Sequence, residues 1–385
     1  MESWMFHTPT KIYFGRNQCR QALEKEKALW QGNLMVVSTG RSLYRLGYLG
    51  RLLDWLQVLR GGRKPVVFDS VSANPRLEEI QRGIALGYSE KVDVVLGFGG
   101  GSAMDAAKAI AAGLGTKEPV ERLLLEGIAP TADTPPVIAI PTTAGTGSEL
   151  SKGAIISDLH RGIKTGIRGE HICPTLAIID PSFTDQIPRQ TTMETGFDVL
   201  AHAMESLVSR KATPFSRMLS REAIRIVGTA LPQLTGNLGN TEARDQMSYA
   251  STLMGINLGN VGTALPHRLQ YPIGAHTDTS HGAGLMALYP AWLAHEYEYA
   301  GELLEQAMMD LTGQPCHGQQ EVSAAFERFM ELLKARKNLG ELGIAADEAA
   351  KLAQEVTGNI ANDPAAAEAG IIEKIYAESM EEKGE

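Results

Sequence analysis

A parallel α/β domain followed by an all-α domain is the fold class that three features of this 385-residue sequence predict. Up to about residue 186, short apolar runs rich in Val and Ile alternate with helical patterns, which implies parallel strands joined by right-handed crossovers. One of those runs leads directly into a cluster of glycines. From about Ile187 the β-branched runs give way to long stretches rich in Ala, Leu, Met and Glu. A chain this long exceeds one compact core. The expected division is residues 1–186 as an α/β domain with a parallel sheet and residues 187–385 as a helical domain.

In order, NLMVVSTG reads as a buried strand ending at Gly40, and RSLYRLGYLGRLLDWLQVL as helical. PVVFDS is the second strand. NPRLEEIQRGIALGY reads as a helix with Asn74 as its cap, Pro75 in its first turn and acids beside them. VDVVLGFGGGS is a third strand entering the glycines, DAAKAIAAGL a helix, and PPVIAIPTT a further strand entering a Gly/Thr/Ser loop. DPSFTDQIPRQTTMETG, broken by Asp180, Pro181 and Pro188, marks the join. Beyond it SRMLSREAIRIVGTALPQL, RDQMSYASTLMGIN, GELLEQAMMDLTG, VSAAFERFMELLKA and DEAAKLAQEVTGNI read as helices.

Composition narrows the function classes. A net charge of -9 and a pI near 5.6 argue against nucleic acid or anionic membrane as a partner. Cys19, Cys173 and Cys316 are widely spaced without a CxxC pair, so neither a disulfide framework nor a thiolate zinc site is expected. MESWMFHTPTKIYFG lacks the charged-then-apolar pattern of a leader, and no run reaches membrane-spanning length, so a cytoplasmic location is expected.

Two loops carry nucleotide chemistry. Gly97, Gly99, Gly100, Gly101 and Ser102 join a strand to a helix start, where glycines let backbone amides approach a phosphate and the helix end adds partial positive charge. The spacing differs from GxGxxG. Thr142, Thr143, Thr146 and Ser148 surround two glycines at the next strand end, and the pair of loops makes a nucleotide cofactor the expected ligand. Asp105 and Lys108, in the helix after the glycines, are placed to orient the loop or the nucleotide.

Asp198 and His202 lie four residues apart, which on a helix stacks a carboxylate and an imidazole on one face. PHRLQYPIGAHTDTSHG supplies His267 and His281, which would have to fold back onto them. A single metal ion gives such side chains a reason to meet.

GGGSAMDAAK, PTTAGTGSE, Lys164 in RGIKTGIRG, GFDVLAHAMES and the stretch from His267 to Gly282 together resemble the iron-containing, group III alcohol dehydrogenases, in matching order along nearly the whole chain. The resemblance implies that residues 1–186 form a Rossmann-like dinucleotide-binding domain and residues 187–385 a helical metal-binding domain, and that the chain carries out NAD(P)-dependent interconversion of a small primary alcohol and its aldehyde. It implies a divalent metal between the two domains, on positions that match Asp198, His202, His267 and His281. Three imidazoles and a carboxylate suit Fe²⁺ or Zn²⁺ better than Mg²⁺ or Ca²⁺. It also implies that Lys164 contacts the cofactor and that the chain forms a homodimer or larger homo-oligomer.

The sequence departs from the family pattern beside the third ligand. Many members carry a further histidine four residues later, thought to help move the proton; here that position is Tyr271. A phenol titrates well above neutrality and is a poorer acid or base than histidine, but its hydroxyl still donates a hydrogen bond, so Tyr271, or His276 as a substitute, is the expected proton relay, with wall packing the other reading of Tyr271. Arg268, directly after His267, replaces a residue that is often small. At the end of the first strand, members that prefer NAD usually have an aspartate. This chain has Gly40, followed by Arg41 and Ser42, which favours NADP(H). The rival readings are a glycerol-dehydrogenase-like polyol oxidoreductase, a dehydroquinate-synthase-like lyase that recycles NAD, and a nucleotide-binding protein with a structural metal.

Overall fold

The structure, a computed structural model, describes residues 3–380. It divides into two compact units, one covering His7–Gln186 and the other Ile187 onward together with the residues before His7.

The first unit is built on a six-stranded parallel sheet. Its elements are β1 (Lys11–Phe14), α1 (Cys19–Lys25), β2 (Leu34–Ser38), α2 (Arg41–Arg45), α3 (Tyr48–Leu59), β3 (Val66–Phe68), α4 (Leu77–Ser89), β4 (Val94–Gly99), α5 (Gly101–Leu114), α6 (Val120–Leu125), β5 (Val137–Pro141), β6 (Gly153–Asp158), β7 (Ile163–Arg168) and β8 (Leu176–Ile179). The strand order is β1-β8-β5-β4-β2-β3. Apolar clusters cover both faces, so β2, β4 and β5 are buried along their whole length, which is why they read as continuous apolar runs. From β2 the chain moves outward to β3 and then returns to the other side as β4. That reversal makes the carboxyl ends of β2 and β4 the switch point where open α/β sheets take ligands.

Three local expectations need correction. Asn74 does not cap α4. The helix starts three residues later, and the Glu79 carboxylate takes the cap role by accepting from Arg76 N at 3.1 Å and Ser72 N at 3.1 Å. Asn74 Oδ1 instead accepts from Lys164 Nζ at 3.0 Å. The helical run after Gly40 is two helices, because Gly47 sits in the left-handed region between α2 and α3. The antiparallel hairpin β6–β7, absent from the sequence reading, interrupts the α/β alternation.

The second unit is helical: α7 (Arg189–Val208), α8 (Pro214–Gly236), α9 (Thr241–Asn260), α10 (Leu265–Thr277), α11 (His281–Thr312), α12 (Gly318–Leu333), α13 (Ala349–Gln354) and α14 (Ile371–Glu378). The last predicted helix is shorter than expected, since α13 ends at Gln354. α7 is buried around almost its whole circumference, and α8, α9, α10 and α11 pack around it. No helix among the described residues is long and apolar enough to cross a membrane.

Candidate metal centre and nucleotide loops

α7 carries Asp198 and His202 one turn apart on a buried face, 3% and 6% exposed. α10 brings His267 in its first turn, and α11 begins at His281, with Ser280 capping it through Ala283 N. The three helices converge on one carboxylate oxygen. Asp198 Oδ1 lies 3.6 Å from His202 Nδ1, 3.4 Å from His267 Nε2 and 3.7 Å from His281 Nε2. The donor atoms of Asp198, His267 and His281 all lie within 4.8 Å of one another. His202 stands beside them, its ring centroid 4.4 Å from that of His267, but outside that closest set of three.

This arrangement fits a metal ion on two grounds. Asp198 Oδ1 and His267 Nε2 are buried and, among the described residues, have no hydrogen-bond partner, an expensive condition unless something binds them. Bonds of about 2.1 Å place tetrahedral neighbours about 3.4 Å apart, close to the separations seen here. The electrostatics also call for a cation. Burial disfavours the charged form of Asp198, but the imidazoles of His202, His281 and His267 outweigh it and hold the carboxyl well below its ordinary range. Burial opposes a charge on His267 too, yet Glu205 and Asp198 push it up to about 10, so with nothing else bound a proton supplies the missing positive charge.

Two further residues orient these donors, and neither was identified from sequence. Glu205, fully buried, accepts from His267 Nδ1 at 2.6 Å and from Ala264 N at 2.7 Å. Gln270 Oε1 accepts from His281 Nδ1 at 2.5 Å. In each histidine that acceptor holds the Nδ1 proton, which leaves Nε2 as the atom directed toward Asp198 and free to bind a metal once its own proton is lost. The available signal was spacing: Glu205 follows Asp198 by two helical turns, and Gln270 follows His267 by one.

Tyr271 and His276 separate in the structure. Tyr271 is buried with its ring centroid 6.4 Å from that of His281. Arg268 lies over the Tyr271 ring at 5.5 Å and donates from Nη1 to its hydroxyl at 3.4 Å. His276, in the last turn of α10, is bonded to Glu355 at 2.5 Å rather than to any member of the cluster.

The nucleotide candidates all lie in the first unit. The loops after β4 and β5 touch: Thr142 N donates to Gly99 O at 2.8 Å, and a Cβ on Gly101 would lie 2.7 Å from Thr146 Cγ2, so only glycine permits this approach. Thr143 lies against Gly100, where α5 begins with exposed backbone donors. Ser102, Asp105 and Ser148 turn inward. Ser102 donates to Ala73 O, while the Asp105 carboxylate accepts from Ser148 Oγ and, at 2.9 Å, from Ile155 N. Lys108, with no exposure, pairs with Asp105 at 3.0 Å and donates to Ser148 O at 3.0 Å, Ser151 Oγ at 3.1 Å and Gly153 O. These residues therefore hold the shape of the second loop. Glu149 beside them is buried, which pushes its carboxyl up to about 7. At the end of β2, Gly40 takes a positive φ of 73°, and Arg41 and Ser42 are exposed at the start of α2. A Cβ on Gly40 would lie 2.1 Å from Asp69 O, and Asp69 is a second neighbour of this corner that sequence had not flagged.

A parallel sheet with a glycine-lined switch point and a helical unit holding a carboxylate among imidazoles define a nucleotide-using, metal-fitted oxidoreductase class. Residues 9–181 match the family model of the iron-containing alcohol dehydrogenases, and residues 192–380 match that of the C-terminal part of the Fe-containing alcohol dehydrogenase family. The chain belongs to the iron-containing alcohol dehydrogenase family and is an alcohol dehydrogenase or aldehyde reductase that uses a nicotinamide cofactor. It is 29% identical to the long-chain primary alcohol dehydrogenase AdhA of Thermoanaerobacter ethanolicus over 360 residues, 90% of each chain. It is 32% identical to aldehyde-alcohol dehydrogenase 2 of Entamoeba histolytica over 307 residues, 77% of this chain but 34% of that longer protein. Among solved structures, an archaeal halo-thermophilic alcohol dehydrogenase from a Red Sea brine pool superposes with a TM-score of 0.92 at 25% identity, covering 98% of this chain and 99% of the other.

Proposed function

We propose that the chain transfers a hydride between NADP(H) and a small primary alcohol or aldehyde, with Asp198, His202, His267 and His281 holding a divalent iron or zinc ion. The observation that carries this reading is the buried Asp198 oxygen facing three imidazoles from three helices. Likeness to a long-chain primary alcohol dehydrogenase supports the primary alcohol class, and likeness to a 1-propanol dehydrogenase of Citrobacter freundii supports a small member of it.

When bound, the ion supplies Lewis-acid polarisation of the substrate oxygen. Glu205 and Gln270 keep the ring nitrogens of His267 and His281 in the tautomer that can bind it. Gly99, Gly100 and Gly101 offer amides to the pyrophosphate, and Thr142, Thr143, Thr146 and Lys164 line the neighbouring loop and hairpin. A bound reduced nicotinamide would supply the hydride for a substrate carbonyl carbon in the reducing direction, and the substrate oxygen then needs one proton to give the alcohol. Tyr271, oriented by Arg268, is the proton donor of this reading through its hydroxyl. His276 is the weaker alternative because Glu355 holds it.

Tyr271→Phe keeps the packing and removes the hydroxyl. It should lower kcat by about 100-fold while leaving the cofactor KM unchanged. An unaltered kcat would remove Tyr271 from the reaction, and Tyr271 would then be wall packing.

The NADP(H) preference rests on the β2 corner. Gly40 leaves no room for an acidic side chain in its present conformation, and Arg41 and Ser42 offer a guanidinium and a hydroxyl to a 2′-phosphate. Steady-state kinetics should give a kcat/KM for NADPH at least about tenfold above that for NADH, and Arg41→Ala should erase most of the difference. A preference for NADH would contradict this assignment, with Asp69 beside the corner as the physical reason.

A further inference from the structure

Behind the metal centre lies a buried polar junction that the reaction does not use. Asp363, almost fully buried, comes from the segment between α13 and α14. Its Oδ2 accepts from Leu265 N at 3.0 Å and from Trp292 Nε1 at 3.0 Å. Leu265 opens α10, the helix of His267, and Trp292 lies on α11, the helix of His281. One carboxylate oxygen thus ties together the two helices that bring two of the imidazoles.

The surroundings make this tie rigid. Asp363 Oδ1 accepts from Ala365 N at 3.0 Å, and Glu296 Oε2 accepts from the same amide at 3.1 Å. The neighbouring Asn362 donates to Thr263 O at 3.2 Å, and Arg210 N donates to Asn362 O at 2.8 Å. Two carboxyls meet here without solvent, and burial together with the Asp363 charge pushes Glu296 up to about 10, so Glu296 carries the proton that lets the pair coexist. At the start of α10 the unsatisfied amides are shared between two acids. Glu205 takes Ala264 N, Asp363 takes Leu265 N, and Pro266 has none to offer.

We propose that Asp363 is a positioning residue for the metal centre: its single oxygen, bonded to Leu265 N and Trp292 Nε1, fixes α10 against α11 and so fixes the spacing of His267 and His281. The assignment rests on the reading of the Asp198 cluster as a metal site. The bonds run through an acceptor atom of defined position, so position rather than charge is what matters. Asparagine keeps an acceptor oxygen there. Glutamate keeps the charge and displaces the oxygen by a methylene.

The test is loss of Fe²⁺ from anaerobically loaded protein challenged with a chelator, measured for wild type and Asp363→Ala, Asp363→Asn and Asp363→Glu. Circular dichroism reports folding, and NADPH fluorescence reports binding in the other unit. Asp363→Ala and Asp363→Glu should lose metal about 10- to 100-fold more readily, with NADPH binding unchanged, while Asp363→Asn stays near wild type. If the alanine variant does not fold, the asparagine and glutamate variants decide: better retention by Asp363→Asn than by Asp363→Glu supports the assignment, and equal retention or the reverse order overturns it. Folded Asp363→Ala that retains metal like wild type also overturns it. Wild type that binds no Fe²⁺ would instead sink the metal-site reading itself.

Discussion

Asp198→Ala should abolish metal retention and turnover together. Asp198 Oδ1 is the common neighbour of His202, His267 and His281, and it supplies a negative charge drawn on by all three. Removing it leaves imidazoles clustered around a gap. Glu205 still holds His267 Nδ1, so the ring stays oriented and the loss is one of charge and ligation rather than of fold. The purified variant should contain no bound iron or zinc and show no detectable oxidation of NADPH with an aldehyde. Full activity in a metal-free variant would refute the assignment.

Lys108→Ala should destabilise the first unit by about 3–5 kcal/mol, the range for breaking a buried, hydrogen-bonded ion pair from one side. The ammonium is fully enclosed and serves Asp105, Ser148 O, Ser151 Oγ and Gly153 O together. Its removal takes the cation from the Asp105 carboxylate and the ammonium donor from Ser148 O and Gly153 O, of which Gly153 O keeps only Ser151 Oγ at 3.4 Å. Since those carbonyls shape the loop that starts at Thr142, NADPH affinity should fall alongside the urea midpoint. A loss below about 1 kcal/mol would mean that solvent reaches the site and replaces the ammonium.

The parts of the fold visible in the sequence were those governed by local rules. β2, β4 and β5 are buried on both faces, so their apolar runs stood out, and the glycines after β4 marked the turn. Asp198 and His202 could be placed on one face because helical spacing requires it. Residues whose roles depend on distant segments were not visible. Glu205 has no apparent function until α10 folds back 62 residues later, and Asp363 meets Leu265 across 98 residues. Asn74 was misread for a related reason: a cap residue is recognised by composition, but Lys164 lies 90 residues away and Glu79 had already taken the cap. The β6–β7 hairpin was missed because IKTGIR mixes charge and glycine into a short strand, which masks the alternation.

A crystal structure of the iron-loaded protein with anomalous data collected at the iron edge tests the metal assignment most directly. One anomalous peak is expected, bonded to Asp198, His267 and His281, with His202 joining them as the fourth protein ligand. A loaded crystal with no peak at Asp198, or with its peak at other residues, would contradict it.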